Sequence, residues 1–199
     1  MNADRNNQVA ELAETYGQMV FATAYRSLGN GEDAEDALQE VFLKMLSAWN
    51  GRLKTGGVRN WGAYLRTVAS RCAVDLLRRR TKRKPESDEL SDLIEAPPGQ
   101  DPRSLASQRQ RARLLRQALA ALPTRDARVF ALRYFEDFSY EEIAAQMGLD
   151  VNHVSVILFR GRKRLEELLR PLMAPDEAGT TGTRNIAPAL GKENNHVSA

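Results

Sequence analysis

Residues 122–169, LPTRDARVFALRYFEDFSYEEIAAQMGLDVNHVSVILFRGRKRLEELL, carry three consecutive helix signals, the last of them basic. Pro123 suits the first turn of a helix, and Val129, Leu132 and Phe135/Glu136 recur at helical spacing. Ser139, followed three residues later by Glu142, is a capping box that starts a short second helix with Ile143, Ala144 and Met147 turned inward. Gly148 supplies the backbone freedom for a tight turn, Leu149 plugs the corner, and Asp150 caps the third helix. In that helix Val151, Val154, Leu158 and Leu165 are assigned to the core. Asn152, His153, Ser155, Val156, Phe159, Arg160, Arg162 and Lys163 are then left for a DNA groove and its phosphates. A plain helical bundle with a solvated basic end is the alternative. Cap, turn glycine and basic helix in that order favour a helix-turn-helix reader.

Upstream, residues 9–84 read as three more helices. Val9, Leu12, Ala13, Tyr16, Val20 and Ala24 form one stripe, which ends near Leu28 at Gly29-Asn30-Gly31. A second helix from Asp33 to Trp49 carries Ala34, Ala37, Val41, Phe42, Met45 and Leu46 on one side, with Asp33 and Glu35 placed against the helix dipole. After a polar loop from Asn50 to Asn60, a third helix over Trp61–Arg80 turns Trp61, Leu65, Val68, Cys72 and Leu76 inward. Arg66, Arg71, Asp75, Arg78 and Arg79 are expected outside. No internal repeat and no strand-like alternation is present, so the fold class is all-α.

Lys and Arg number 29 against 26 Asp and Glu, and the net charge of +3 matters less than its distribution. Arg78 to Lys84 (RRRTKRK) is basic at every position but one, whereas every charged residue from Pro85 to Pro102 is acidic. Such segregation suggests a polyanion-binding surface followed by a segment kept away from it. The proline, acid and serine content of PESDELSDLIEAPPGQDP predicts a flexible acidic linker over 85–104, between a domain at 1–84 and a second at 105–173. The tail, 174–199, lacks periodicity and is expected to be disordered. A single cysteine excludes an intramolecular disulfide and a cysteine-rich zinc site. No apolar run approaches the roughly 20 residues that span a bilayer, which makes the cytoplasm the expected compartment.

Two motifs coincide with one family. Asp33 to Phe42, DAEDALQEVF, resembles the core-polymerase-binding helix of group IV (extracytoplasmic function, ECF) sigma factors of the sigma-70 family, and residues 122–165 resemble their promoter-reading domain. Order, spacing and length also match, over about residues 9–169. The resemblance implies a bacterial initiation factor with a region 2-like three-helix domain and a region 4-like helix-turn-helix domain. It would bind core RNA polymerase, direct it to promoters and assist opening. Asp33, Asp36, Gln39 and Glu40 would form an acidic and amide face against the clamp helices of the beta-prime subunit. The beta subunit, promoter DNA and an anti-sigma factor are the further implied partners, without direct membrane insertion and without a cofactor or metal.

The third helix is the implied minus-10 element handler. Opening DNA forfeits stacking of about 1.4 kcal/mol per step, and an extruded base can fill a pocket only after unpairing. Arg71 and Asp75 are the implied pocket walls, and Arg66, Arg78, Arg79 and Arg80 the surrounding strand contacts. Trp61 continues the inward stripe and reads as core, with strand contact as its alternative. Tyr64 is divided between core and strand. The acidic linker resembles the family's linker, which occupies the RNA path of the polymerase; plain solvation explains it equally. In the recognition helix this sequence departs from the family. Ser155 and Val156 stand where a basic residue and a serine are usual, and Ile157 replaces another basic or polar residue. Fewer cations imply a shallower salt dependence. Val156 and Phe159 would touch thymine methyls, with Arg160 and Arg162 for guanine edges or backbone. His153 suits a phosphate or partner contact better than a metal.

Two other classes compete. A stand-alone helix-turn-helix regulator needs a receiver or ligand-binding domain ahead of its reader, and residues 9–84 are helical and too short for one. A metal enzyme using Asp33, Glu35, Asp36 and Glu40 lacks a nucleophile, a phosphate loop or a nearby histidine.

Overall fold

The structure, a computed structural model, describes residues 2–49, 58–83 and 102–173. Within these, all regular elements are helices: α1 (Asn2–Leu28), α2 (Gly31–Ala48), α3 (Trp61–Arg83), α4 (Pro102–Ala121), α5 (Thr124–Tyr134), α6 (Tyr140–Met147) and α7 (Val151–Met173). The expected tail and most of the expected linker lie outside the described residues, and α4 already begins at Pro102.

The α1–α2 corner is built by local chemistry. Gly29 adopts φ 79, a left-handed conformation that glycine takes without a Cβ penalty, and its N–H donates to Tyr25 O at 2.7 Å. A Cβ there would also meet the guanidinium of Arg116 from α4. Asn30 then caps α2: its Oδ1 accepts from the Asp33 N–H at 2.8 Å while its Nδ2 donates to the Asp33 carboxylate at 2.7 Å.

Helices α1, α2 and α3 enclose a first apolar cluster of Val9, Val20, Val41, Met45, Trp49, Leu65, Ala69 and Cys72. A second cluster runs without a break from one half of the molecule into the other. It joins Ala24, Ala34, Ala37, Ala73, Val74 and Leu77 to Leu119, Leu122, Ala127, Phe130, Leu132, Ile143, Val154 and Leu158. Fully burying each large aliphatic side chain is worth about 1.5–3 kcal/mol. Ala24, Ala34, Ala37, Ala73 and Ala127 are completely buried within this cluster. The two helical domains therefore share part of their core.

That sharing corrects the expected faces of α3. Leu65, Thr67, Ala69, Ser70, Cys72, Ala73, Val74 and Leu77 are all buried, because α1 and α2 cover one side and α4 and α5 the other. Leu77 takes the core place expected of Leu76, and Arg71, Asp75 and Arg78 are partly buried rather than solvated. Two assignments in α7 also change: Val151 is 39% exposed, and Ile157 is a core residue at 4% exposure, completing the Val154–Leu158–Leu165 stripe.

Burial pushes the Cys72 thiol above its ordinary range, while Lys44 Nζ at 3.3 Å pulls the other way. The expected outcome is slow alkylation of native protein by iodoacetamide at neutral pH and prompt alkylation in denaturant. Rapid modification of the native chain, measured by mass spectrometry, would contradict this packing.

Candidate nucleic-acid interface

The helix-turn-helix forms as its residues dictate. Ser139 Oγ accepts from the Glu142 N–H at 3.1 Å and Glu142 Oε2 accepts from the Ser139 N–H at 2.8 Å, which closes the capping box at the start of α6. Gly148 ends α6 in the left-handed conformation at φ 64, and the Leu149 N–H reaches back to Ala144 O at 2.9 Å. Asp150 Oδ1 accepts from the His153 N–H at 2.8 Å and caps α7; Oδ2 stands 3.4 Å from His153 Nδ1. That backbone hydrogen bond, aided by His153, holds the Asp150 carboxyl below its ordinary range.

Outward from this scaffold, Asn152, His153, Ser155, Val156, Phe159, Arg160, Arg162 and Lys163 are all exposed on α7. Phe159 is 65% exposed and Val156 42%, although both are large and apolar. Farther along, Arg164 pairs with Glu167 at 3.3 Å and Arg170 with Glu166 at 2.7 Å. Unneutralised positive charge is thereby concentrated around Arg160, Arg162 and Lys163.

On α2, Asp36 and Gln39 are exposed and share a face with Leu43, itself 64% exposed. Glu40 is engaged within the domain: Lys44 Nζ lies at 2.7 Å and Arg79 Nη2 at 3.0 Å, and the Lys44 hydrogen bond first, with Arg79 behind it, holds its carboxyl below the usual range. Asp33 departs from the sequence reading. Its side chain is only 5% exposed, pairs with Arg80 and is bound by Asn30, so it is a structural acid at the α2 cap. One face of a helix cannot both meet a neighbouring helix and meet a partner.

The residues singled out on α3 are nearly all occupied. Arg71 Nη2 donates to Gln146 O at 2.7 Å, and both Asp75 oxygens accept from Arg128 Nη2 at 2.7 and 2.8 Å. Arg78 Nη1 donates to Ala120 O at 2.8 Å and also to Leu122 O, while Arg79 and Arg80 hold Glu40 and Asp33. Arg66 lines a surface depression with Arg26, Phe135 and Glu136. Val58, Arg59, Asn60, Tyr64, Thr67, Val68 and Arg71 line a cleft of about 680 Å³, and Ala145 and Gln146 of α6 border it. Trp61 stacks on Trp49 at 6.0 Å and meets the edge of Tyr64 at 5.9 Å, which makes it a wall of the domain.

Sequence reading missed Glu136. Its side chain is 1% exposed and is reached by Thr23 Oγ1 at 2.9 Å and Arg26 Nη2 at 2.7 Å, both from α1. A carboxylate at a position with core periodicity was the available signal, because such a group is buried only with partners.

An all-helical, two-domain chain ending in a helix-turn-helix with an open basic and apolar face belongs to the class of helix-turn-helix proteins. Residues 12–83 match the family model for sigma-70 region 2, and residues 112–165 match that for sigma-70 region 4. The ferric citrate uptake sigma factor FecI of Escherichia coli is 30% identical over 73% of this chain and 88% of its own length. The ECF sigma factor SigW of Bacillus subtilis is 26% identical over 82% of this chain and 89% of its own. Against the ECF sigma factor SigE of Mycolicibacterium smegmatis identity is 29% over 80% of this chain, which spans only 60% of that relative's length. A solved structure of CnrH in complex with the cytosolic domain of CnrY superposes with a TM-score of 0.50 at 24% identity, over 85% of this chain and 92% of that one, and shows the same fold. The chain belongs to the sigma-70 family of RNA polymerase sigma factors, in its ECF group.

The depressed Asp150 carboxyl contributes stability that is complete above the ordinary carboxyl range, near pH ~4, and is lost as pH falls through its lowered folded value. The Asp150→Asn variant is expected to keep the cap and lose this part of the pH dependence, whereas Asp150→Ala lowers the melting temperature at neutral pH. Thermal melts between pH 3 and 7 that superpose for all three proteins would refute the cap.

Proposed function

We propose that the protein is a transcription initiation factor that joins core RNA polymerase through the exposed face of α2. With α7 it reads the minus-35 element, and with α3 it handles the opened minus-10 strand. The observation that carries the reading is a pair of solvent-facing surfaces on one chain of this family: Asp36 and Gln39 on α2, and the Asn152-to-Lys163 face of α7. An acid and amide face complements a cationic helical partner, here the clamp helices of the beta-prime subunit, with the beta subunit nearby. On α7, Val156 and Phe159 suit thymine methyls, while Arg160, Arg162 and Lys163 suit guanine edges and phosphates.

In this reading the chain acts by binding other macromolecules. No described helix is long and apolar enough to cross a membrane, and no group of three or more potential metal ligands occurs among the described residues. An anti-sigma factor covering the polymerase-facing surface is the regulator this reading adds. Transcription in vitro with purified core enzyme on a promoter library tests the whole proposal: defined starts that depend on the added chain support it, and their absence rejects it.

Asp36→Lys is expected to weaken core binding at least about tenfold, the scale of a lost interfacial charge, with unchanged helicity. Undiminished capture of core enzyme in a pull-down counts against α2 as the docking face. Glu40→Lys is less clean, because it also breaks the Lys44 and Arg79 pairs. Arg160→Ala should lower transcription from an intact promoter by roughly 1–3 kcal/mol of binding energy if it holds a base edge. On a promoter already damaged at minus-35 the same variant should lose little more, and equal losses on both templates would remove Arg160 from that role.

A further inference from the structure

His153 is the one histidine among the described residues, and a single carboxylate engages it at two points. Asp150 Oδ1 accepts from the His153 N–H at 2.8 Å, and Oδ2 of the same group stands 3.4 Å from His153 Nδ1. The backbone hydrogen bond fixes the carboxylate beside the ring and helps to keep it ionised, since it holds the Asp150 carboxyl below its ordinary range. Among the described residues no other acid forms an ion pair with His153.

An anionic oxygen beside Nδ1 decides where a neutral imidazole carries its proton. A lone pair on Nδ1 would face the negative oxygen and be repelled, whereas a proton there is attracted. The ring is therefore Nδ1–H, and Nε2 is left as a hydrogen-bond acceptor. Nε2 is also the nitrogen farther from the backbone, and the His153 side chain is 53% exposed. His153, Val156 and Arg160 recur at i, i+3 and i+7, so they form one exposed stripe. The first turn of a recognition helix is where base edges are met. Toward a phosphate oxygen an outward lone pair is repulsive; toward an exocyclic amino group it is complementary.

We infer that His153 selects a base in the minus-35 element by accepting a hydrogen bond at Nε2 from adenine N6 or cytosine N4, with Asp150 as the positioning residue that keeps the ring proton on Nδ1. The inference rests on the proposed role of α7. Guanine O6 and thymine O4 are acceptors and are rejected at the same place. Asp150 thus caps the helix through Oδ1 and orients the reader through Oδ2. Asp150→Asn separates these duties. Its amide keeps the cap through the oxygen, but its NH2 group then faces Nδ1 and binds a lone pair there, which moves the ring proton to Nε2 and turns the acceptor into a donor.

Two measurements at about pH 8, where an imidazole is neutral, test this. In the full chain labelled with nitrogen-15, the histidine ring shifts report which nitrogen carries the proton. His153→Ala identifies the signals, because the chain has only two histidines. His153 is expected mainly as Nδ1–H in the native chain and mainly as Nε2–H in Asp150→Asn; Nε2–H in the native chain, or the same form in both, overturns the inference. The second measurement uses core RNA polymerase and a promoter library randomised at minus-35, with the transcripts sequenced. The native protein is expected to favour adenine or cytosine at one position of one strand by about fivefold, the scale of a single hydrogen bond. His153→Ala should flatten that position alone, and Asp150→Asn should invert it toward guanine or thymine. If Asp150→Asn loses helicity, His153→Ala, which replaces an exposed side chain, decides the matter. Unchanged base selection in His153→Ala overturns the inference and leaves the minus-35 reader standing. Absence of starts from every protein, the native chain included, rejects the functional reading and with it any base for His153 to select.

Discussion

Helix α3 is the wall on which both halves of this molecule are built, and its double burial governs what the surfaces can do. On one side it closes the α1–α2 core through Leu65, Ala69 and Cys72; on the other, Ala73, Val74 and Leu77 enter the cluster that continues into α4, α5 and α7. A helix enclosed on two sides has little free perimeter. Its cations are accordingly engaged with backbone carbonyls and carboxylates instead of solvent.

The cluster that joins the two halves contains fully buried alanines at 24, 34, 37, 73 and 127, and the carbonyl ends of α4 and α6 lie within reach of Arg78 and Arg71. Polar contacts then set the register that apolar packing alone leaves loose. Glu136 is the clearest case, since a buried carboxylate is tolerable only where Thr23 and Arg26 arrive to bind it. By contrast, the seam beside Arg71 and Arg128 leaves donors unsatisfied, so the interface is stable without being optimised throughout.

This division matters because the faces proposed to bind polymerase and DNA lie on different helices. The recognition helix depends on short-range devices: the Ser139–Glu142 box, the left-handed Gly148 and the Asp150 cap. These hold α7 outward whatever the first domain does. The α2 face is likewise set by its own domain, with Asn30 and Asp33 fixing the helix start and leaving Asp36 and Gln39 in water. Only α3 has its exposure decided by how the domains meet.

Legibility in the sequence follows the same division. Periodicity, capping and turn chemistry are local, and they were sufficient for the helix-turn-helix, for the three helices upstream of it in the first domain, and for the outward set on α7 from Asn152 to Lys163. They failed where a residue's neighbours come from far along the chain. Asp33 has the same local signature as Asp36, yet Arg80 from another helix makes it internal. Val151, expected inside, is 39% exposed, and Ile157 enters the core at 4%. Above all, the amphipathic pattern of α3 shows one buried stripe, whereas the fold covers two, and Glu136 reads as one more stripe position until α1 supplies its partners. The residues alone thus determined which helices form, where they stop and which family the chain resembles, because those depend on contacts within a few turns. Which charged side chains remain unpaired and open to solvent was decided only by tertiary structure, because charge pairing between helices depends on three-dimensional proximity that no local pattern encodes.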